Sequence, residues 1–451
     1  MYAQKRVRSF VIFVILSLIF TRSIAAKEQA EYAAYLPLVV RQVFVESTGV
    51  LDPTFDGDGI VSTNFGPYAV AAINDLAVQA DGKLVAAGHA ETGEVYNFDF
   101  ALARYNPDGS LDASFGISGT VQTDITTYDS AFAVALQPDG KILAAGFAHD
   151  NMYYLMDAMI LARYNLDGSL DQSFGDGGLV LSDFGTVNSA KDIALQKDGK
   201  ILVAGNTYIE DGEQANRVFT LARYNTDGSL DASFAGDGWL TVNFSHNEDY
   251  GEDVTVQPDG YILVSGATQQ EDYHYYAMAR YSPDGSLDTS FASDGMLVSY
   301  ELQCRAVSTD SIALQTDGKI VAACGSEDPE DFILARFHPD GRLDTGFGES
   351  GLVRTDWGGM EALTAVALQP NGKIVASGFV TAHGIGHTFV LARYNRDGSL
   401  DPSFGYYGQV MTDIVLDDIA YALAIQSDGK IVLAGSFSDY LPVDFALVRY
   451  K

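Results

Sequence analysis

Short apolar and alternating runs, bounded by Gly, Asp and Asn, follow one another along most of the chain. Residues 190–244 are typical: "DIALQ" and "KILVAG" are joined by "KDG", and "VFTLARYN" and "WLTVNF" follow after polar stretches. β-Branched and aromatic residues favour strands, and Asp-Gly supplies the positive φ of a type I′ hairpin turn. No window has a convincing helical period. The pattern predicts four antiparallel strands, a, b, c and d.

This pattern recurs seven times, with a period of about 57–60 residues. Each copy carries Leu-Asp before a Phe, a turn with Asp-Gly or Asn-Gly, and an Arg before an aromatic residue. The recurring Arg residues are Arg104, Arg163, Arg223, Arg280, Arg336, Arg393 and Arg449, and the recurring Asp residues include Asp112, Asp171, Asp231, Asp288, Asp344 and Asp401. Seven copies of four strands predict an all-β fold, a seven-bladed β-propeller over residues 50–451.

The two ends of the repeat region indicate how the sheet array ends. An unpaired d strand, residues 60–65, comes first, and the chain stops after the c strand at residues 445–450. Pairing of these two segments would complete the seventh blade and close the ring without free edges. An open β-solenoid is the alternative.

The first 49 residues match no repeat. Lys5, Arg6 and Arg8 precede an apolar run at residues 10–20, and "SIAA" follows, so residues 1–26 are typical of a secretory signal peptide. A membrane anchor is the alternative, but the apolar run is shorter than the roughly 20 residues of a span. We expect residues 27–49 to be a linker or tether and the protein to be secreted or held at the cell surface.

The repeated segments "LDxSFG", "ALQPDGKILVAG" and "FALARYNPDGS" resemble the Delta-60 repeat, which occurs in tandem in secreted bacterial proteins. The strand order is also similar to that of NHL-type propellers. The resemblance covers about residues 50–451 and implies a propeller and export. It implies no activity, cofactor or catalytic residue. In the fourth copy Tyr261 replaces the Lys that follows the hairpin turn.

A residue that recurs in every blade is best explained by the blade itself. We expect Arg223 to bind an Asp of a neighbouring "LDxSF" loop, or carbonyl groups there, because buried charges need partners. The "NxDGSLD" loop lacks the ligand spacing of a known calcium loop, and Asx turns explain it better. Cys304 and Cys324 both lie in the fifth repeat, and a disulfide between them is left open because sequence does not fix their distance.

The b–c and d–a loops vary between blades, whereas the a–b and c–d loops barely change. Function often resides in variable loops on a rigid scaffold. In blades 3 to 5 these loops combine acids with Tyr and His, which suits a cationic peptide, a glycan or a divalent ion; solvated acidic loops are the alternative. The candidate ligand-binding residues are Glu210, Asp211, Glu213, Glu248, Asp249, Tyr250, Glu271, Asp272, Tyr273, His274 and Tyr275.

Charge and motifs restrict the function classes. The net charge of −33 argues against nucleic-acid binding. No common nucleophile, zinc-protease or phosphate-loop motif occurs, and His383 and His387 lack an evident third metal ligand. We therefore expect a monomeric binding module without catalytic residues or a resident cofactor, calcium being the exception to consider. The alternatives are a metal-dependent hydrolase or lyase at the mouth of the channel, and a structural envelope protein.

Overall fold

The structure is a computed structural model. It describes residues 49–66, 69–91, 97–149, 157–211, 214–244, 248–306, 311–326, 331–381, 386–438 and 443–451. The predicted signal peptide and residues 27–48 lie outside the described residues, as do Glu213 and His383. Everything below concerns the unit Thr48–Lys451.

The described residues form strands β1 to β28 and no helix. We number the sheets 1 to 7 in chain order. Sheet 1 contains β2 (Ala71–Val78), β3 (Leu84–Glu91), β4 (Phe98–Tyr105) and β5 (Thr120–Thr123). Sheet 2 contains β6 (Tyr128–Leu136), β7 (Ile142–His149), β8 (Asp157–Tyr164) and β9 (Leu179–Ser182). Sheet 3 contains β10 (Asn188–Leu195), β11 (Ile201–Asp211), β12 (Gln214–Tyr224) and β13 (Trp239–Val242).

The remaining strands follow the same order. Sheet 4 contains β14 (Asp249–Val256), β15 (Ile262–Gln270), β16 (Tyr273–Tyr281) and the first part of β17 (Met296–Ala306). Sheet 5 contains the rest of β17, β18 (Ile312–Leu314), β19 (Ile320–Ser326), β20 (Phe332–Phe337) and β21 (Leu352–Thr355). Sheet 6 contains β22 (Met360–Leu368), β23 (Ile374–Thr381), β24 (Thr388–Tyr394) and β25 (Gln409–Thr412). Sheet 7 contains β26 (Asp417–Ile425), β27 (Ile431–Ser438), β28 (Asp444–Tyr450) and β1 (Ile60–Thr63).

Strand β1 supplies the fourth strand of the last sheet. It pairs antiparallel with β28, from Ile60 opposite Val448 to Thr63 opposite Phe445. Side chains of the first and last sheets also share one core cluster, in which Ile73 and Val432 are completely buried. The other core clusters likewise combine two successive sheets, so each sheet buries both faces.

The a–b hairpin turns differ from the predicted type I′ turn. In the turn after β10, Gly199 has φ +86° but Asp198 is not among the residues with positive φ. The Gly199 amide donates to the Gln196 carbonyl at 2.9 Å, and Asp198 accepts from the Lys200 amide. This is a type I turn followed by a Gly in the left-handed conformation. The connection is longer than the two residues of a type I′ turn, so Asp198 keeps a negative φ and its carboxylate caps the turn.

A β-bulge interrupts the innermost strand of six sheets. The register skips one residue, for example between Ala190 and Asp192 and between Gly251 and Asp253. A Gly faces each bulge on the second strand: a Cβ on Gly205 would lie 1.9 Å from the Ser189 carbonyl oxygen. A bulge changes the direction of the extra side chain. One variable residue in each of these sheets therefore leaves the regular alternation of side chains between the two faces of the strand.

Sheet 5 has a different inner edge. Strand β17 runs from the last strand of sheet 4 directly into the first strand of sheet 5, and Cys304 is bonded to Cys324 of β19 with a Cα–Cα distance of 5.7 Å. Cys324 occupies the place of the strand-end Gly, such as Gly378 in sheet 6. The disulfide therefore takes the place of that Gly, and in this sheet the register also shifts by one residue, between Cys304 and Ala306.

Candidate functional site

The recurrent Arg is buried and fully used within the scaffold. Arg223 Nε donates to Asp231 Oδ2 at 2.7 Å, its Nη2 donates to Ser233, and its Nη1 donates to the Pro283 carbonyl of the next sheet. Its guanidinium also lies 4.5 Å from the centre of the Phe234 ring. The carboxylate is in the same repeat and the carbonyl in the next, so one side chain joins two sheets.

Lysine is a second cation in this cluster. Lys200, from the hairpin turn, lies 2.6 Å from the same Asp231 oxygen. Burial alone would raise the pKa of Asp231, but hydrogen bonds from Lys200 and Ser233 and the charge of Arg223 hold it below its ordinary value. In sheet 4, where Tyr261 replaces Lys, the Tyr261 ring lies beneath Arg280 instead.

The same ion pair occurs in every sheet, with Asp52 serving the last. Each Arg Nε, or Nη2 in sheet 4, lies within 3.0 Å of its aspartate in the pairs Arg104–Asp112, Arg163–Asp171, Arg223–Asp231, Arg280–Asp288, Arg336–Asp344, Arg393–Asp401 and Arg449–Asp52. The cluster therefore holds sheets together and offers no free charge to a ligand.

Two acidic candidates of sheet 3, Glu210 and Asp211, lie in a strand rather than in a loop. Glu210 and Asp211 end β11, which pairs with β12 as far as Asp211 opposite Gln214. The predicted b–c loop is thus mostly a long hairpin, because Thr207, Tyr208 and Ile209 continue the strand pattern.

The candidates of sheet 4 are distributed between core, hairpin and surface. Asp249 is completely buried and accepts from the Phe244 amide at 2.8 Å, so it caps the d–a connection. Glu248 lies 3.7 Å from Arg217. These two placements differ from the expected rim of unpaired carboxylates.

A two-residue turn, Glu271 and Asp272, joins β15 to β16 and is exposed. Tyr273, His274 and Tyr275 belong to strand β16, not to a loop, since "YHYYAMARY" alternates as a strand. His274 packs against Tyr250 with ring centres 5.7 Å apart, and Tyr275 packs against Tyr300 at 5.1 Å. His274 and Tyr250 are thus two candidates in contact with each other, whereas Tyr275 contacts a residue outside the candidate set.

A cavity of about 240 Å³ lies between sheets 2, 3 and 4, where its lining includes Val187 of a d–a connection and Tyr208 and Arg217 of a b–c hairpin. We call it the bulge pocket, because three of its lining residues, Phe132, Lys191 and Glu252, are the extra residues of successive β-bulges. Phe147, Val187, Ser189, Asn206, Tyr208 and Arg217 complete the lining. The composition of individual loops does not predict this pocket, because most of its lining residues lie in strands. One position of the repeat does carry a signal, because its residue differs from copy to copy inside strands that are otherwise uniform. The residues at this position are Asn74, Phe132, Lys191, Glu252, Thr364 and Tyr421.

Two cations stand out in the bulge pocket. Lys191 Nζ lies 4.0 Å from the centre of the Phe132 ring, which stacks on Phe147 at 5.5 Å. The Arg217 guanidinium lies 4.8 Å from the Tyr208 ring and donates a hydrogen bond to its hydroxyl. Burial raises the pKa of Glu252, and the charges of Lys191 and Arg217 act against that rise. The pocket thus combines aromatic walls with two cations and a carboxyl group that resists ionisation.

Three inner aspartates follow the bulges. Asp75 accepts from the Val134 amide at 2.6 Å, Asp192 from the Val254 amide at 2.8 Å and Asp253 from the Ile312 amide at 2.7 Å. Each carboxylate therefore links its inner strand to the inner strand of the next sheet. Burial raises the pKa of Asp75 above its ordinary value, and the charge of Asp192 adds to this rise.

Within the described residues, the structure also bears on two other features that the sequence raises, metal ligands and a membrane-spanning segment. His387 lies 2.9 Å from Asp417 and packs against Phe379. Among the described residues, groups of three acids whose oxygens converge within 4.8 Å occur at the junctions of sheets 1 and 2 and of sheets 5 and 6, not among the loop candidates. No described segment forms a helix of the length and hydrophobicity needed to cross a membrane.

The sequence profile described as "Domain of unknown function (DUF5122) beta-propeller" matches residues 79–115, 137–174, 196–234, 257–291, 315–347, 369–404 and 426–451. The chain belongs to this family. The DUF5122 repeats coincide with the segments that resemble the Delta-60 repeat, so that prediction and the propeller-type, all-β fold are confirmed.

Solved structures similar to this DUF5122 protein share little sequence with it. A protein of unknown function from Dyadobacter fermentans is 11% identical, with 87% of this chain and 98% of that chain covered and a TM-score of 0.42. Sqt1 from Chaetomium thermophilum is 12% identical, with 84% and 96% covered and a TM-score of 0.46. An α-L-arabinanase from Penicillium chrysogenum, complexed with arabinobiose, is 13% identical, with 89% and 97% covered and a TM-score of 0.40. None of the curated proteins compared with the chain matches it.

Proposed function

We propose that this protein is an exported, monomeric, seven-bladed propeller, closed by β1, that binds a small acidic sugar in the bulge pocket. The pocket lies on the face of the b–c and d–a loops, the face that sequence variation favours. Export is supported by the signal-like residues 1–26 and by the disulfide, since disulfides persist in oxidising compartments.

The observation that carries this proposal is the pair of cations in the bulge pocket of a chain with net charge −33. Among the described residues, the Lys191 ammonium rests on an aromatic ring and forms no ion pair, and Arg217 is shared between Tyr208 and Glu248. A ligand carboxylate would give Lys191 an ion-pair partner and Arg217 a second one beside Glu248, in a partly dry site where such hydrogen bonds are strong.

The size and the remaining lining favour a sugar over a larger ligand. A cavity of about 240 Å³ is smaller than a typical drug-sized site of roughly 300–1,000 Å³. Phe132, Phe147 and Tyr208 provide apolar surface, and Ser189 and Asn206 provide hydroxyl and amide groups. One uronic acid residue, with an apolar ring face, hydroxyl groups and a carboxylate, matches this set.

Calorimetric titration with glucuronate and galacturonate tests the proposal, with glucose as the neutral comparison. We expect saturable binding of at least one uronate, about tenfold or greater loss for Lys191→Met or Arg217→Gln, and no binding of glucose at the same concentration. Thr364→Ala, at the bulge position of sheet 6, is the matched control and should leave affinity unchanged. Equal binding by the parent and both pocket variants would contradict the proposal.

A second function is favoured by Glu252, whose burial raises its pKa within the same pocket. A carboxyl group with a raised pKa suits general acid or base catalysis, so a uronate-containing chain would be cleaved as well as bound. Incubation with oligogalacturonate distinguishes the two functions. Product formation that disappears in Glu252→Gln, with retained binding, would establish an enzyme; binding without product would leave a binding module.

A further inference from the structure

Three carboxylates meet where sheets 1 and 2 adjoin. Asp99 is the second residue of β4, Asp124 directly follows β5, and Asp129 is the second residue of β6. Their nearest carboxylate oxygens all lie within 4.8 Å of one another. Asp99 is 4% exposed and Asp129 is completely buried, whereas Asp124 is exposed. The cluster, here called the 1/2 site, has a buried floor and an open mouth on the variable-loop face.

One oxygen of this cluster lacks a partner. Asp129 is satisfied, because it accepts from the amides of Ile125 and Thr126, both at 2.8 Å, and from the Thr126 hydroxyl. Asp99 Oδ1 is buried and has no hydrogen-bond donor among the described residues. A buried carboxylate oxygen without a donor or counter-charge is costly, and a second and third carboxylate beside it increase that cost.

The same arrangement recurs where sheets 5 and 6 adjoin. Asp331 stands five residues before Arg336, as Asp99 stands before Arg104, and Asp356 follows β21 as Asp124 follows β5. Glu361 supplies the third carboxylate, and the oxygens again lie within 4.8 Å of one another. Glu361 is 5% exposed, and its Oε2 has no hydrogen-bond partner among the described residues.

The two clusters, the 1/2 site and the 5/6 site, differ in one neighbour. Arg354 Nη1 lies 4.0 Å from Asp331 Oδ2 at the 5/6 site. The equivalent position in β5 is Gln122, which carries no charge. The 1/2 site is therefore the more strongly negative of the two.

The fold itself does not require three acids at this position. At the junction of sheets 6 and 7 the equivalent residues are Thr388, Asp413 and Asp418, as the register of β24 with β25 shows. Asp418 accepts from the Ile414 amide there, as Asp129 does from Ile125. Capping the d–a connection thus explains the acid of the innermost strand, and it leaves Asp99 and Asp124 unexplained.

We propose that Asp99, Asp124 and Asp129 bind a calcium ion, and that Asp331, Asp356 and Glu361 bind a second one more weakly. Calcium prefers carboxylate and water oxygens and tolerates irregular geometry, and the exposed mouth leaves room for water ligands. The ion would give the partnerless oxygen of Asp99 a counter-charge. Because the ligands come from the third and fourth strands of one sheet and the first strand of the next, it would also clamp adjacent sheets.

Calorimetric titration of the metal-free protein with calcium chloride gives the stoichiometry, and thermal unfolding gives the linked stability. We expect two calcium ions per chain and a rise in Tm of about 2 °C per occupied site when calcium exceeds its Kd about tenfold. Sodium chloride at equal ionic strength is the control for screening and should not reproduce the rise.

Single variants assign the ions to the two sites. Asp99→Asn should reduce the stoichiometry to one and, in chelator, should melt at or above the Tm of the parent, since repulsion is removed. Asp331→Asn should remove the weaker ion. Asp413→Asn, at the two-acid junction of sheets 6 and 7, is the matched control and should keep both ions.

The proposal is overturned if the parent binds no calcium at millimolar concentration, or if the Asp99→Asn, Asp331→Asn double variant still binds two ions. It is also overturned if Asp99→Asn lowers Tm in chelator while calcium binding stays unchanged. Neither site shares a residue with the bulge pocket, so these outcomes are independent of uronate binding.

Discussion

Removal of one recurrent Arg tests what holds neighbouring sheets together. Arg223→Ala removes the 2.7 Å contact with Asp231, the hydrogen bond to the Pro283 carbonyl and the contact with the Phe234 ring. Breaking a buried ion pair costs about 3–5 kcal/mol. Lys200 stays 2.6 Å from Asp231, so the carboxylate is not left without a cation. We therefore expect a loss near the low end, about 3 kcal/mol.

The corresponding shift in Tm follows from the size of the unit. With about 2.1 cal/mol/K of unfolding entropy per residue and roughly 400 residues, 3 kcal/mol corresponds to about 4 °C. Arg223→Lys should lose about 2 kcal/mol, because one ammonium cannot reach Asp231, Ser233 and the Pro283 carbonyl together. Differential scanning calorimetry of the purified variants measures both shifts.

Sheet 4 provides the matched comparison. Tyr261 replaces the Lys there, so Arg280→Ala leaves Asp288 without either cation of the cluster. We expect Arg280→Ala to cost up to about 1 kcal/mol more than Arg223→Ala, because the partly buried carboxylate of Asp288 would be left without a cation. If Arg280→Ala costs no more than Arg223→Ala, the ion pair is not the source of the stability. Negligible shifts for both would show that the recurrent ion pairs do not stabilise the fold.

Two further predictions concern pH and the first strand. Burial would raise the pKa of Asp52, but hydrogen bonds from Thr54 and Lys430 and the charge of Arg449 lower it to about 2. This pKa is below the unfolded value of about 3.9. The stability that Asp52 supplies is therefore complete above about pH 4 and is lost as the pH falls towards 2. The Tm difference between the parent and Asp52→Asn should therefore shrink over that range, and a constant difference would argue against the ion pair. A chain that begins at residue 67 lacks β1 and the Asp52 partner of Arg449, and it should lose cooperative unfolding or aggregate through the exposed edge of β28. A chain beginning at Thr48 is the control, and equal melting of the two would contradict closure by β1.

The sequence predicts the repeated scaffold well, because its determinants are local. Leu230, Asp231 and Phe234 lie within one loop, and Gly199 marks the turn after β10, so each repeat carries the information for its own strands. The exception is β17, which crosses from sheet 4 to sheet 5. Its sequence "MLVSYELQCRA" has no Gly, Pro or Asn to end the strand, a signal that repeat alignment obscures.

The candidate sites are harder to predict because they depend on pairing between repeats. Asp99 and Asp129 are 30 residues apart, and only the adjoining sheets bring their carboxylates together. A bulge adds one residue to a strand without a recognisable change in its sequence pattern. The sequence near Lys191 and Glu252 therefore does not show that their side chains leave the regular alternation. Composition indicates acidic loops on the variable face, but it does not show that Asp249 is buried or that Arg217 lies beside Glu248.

Because β1 pairs with β28, the first strand of the domain to be synthesised has no partner until the last strand has been made. Arg449 donates to Thr54, 395 residues earlier, and Asp444 accepts from Ser62 and Asn64. During synthesis, sheets 1 to 6 can form one after another from neighbouring strands, but sheet 7 has no fourth strand until its own β28 meets a segment made at the start. Because closing so large a loop is slow, the final step of folding waits for the whole chain. A protein built in this way stays incomplete throughout its synthesis, which would suit the export proposed above, because an exported chain crosses the membrane before it folds.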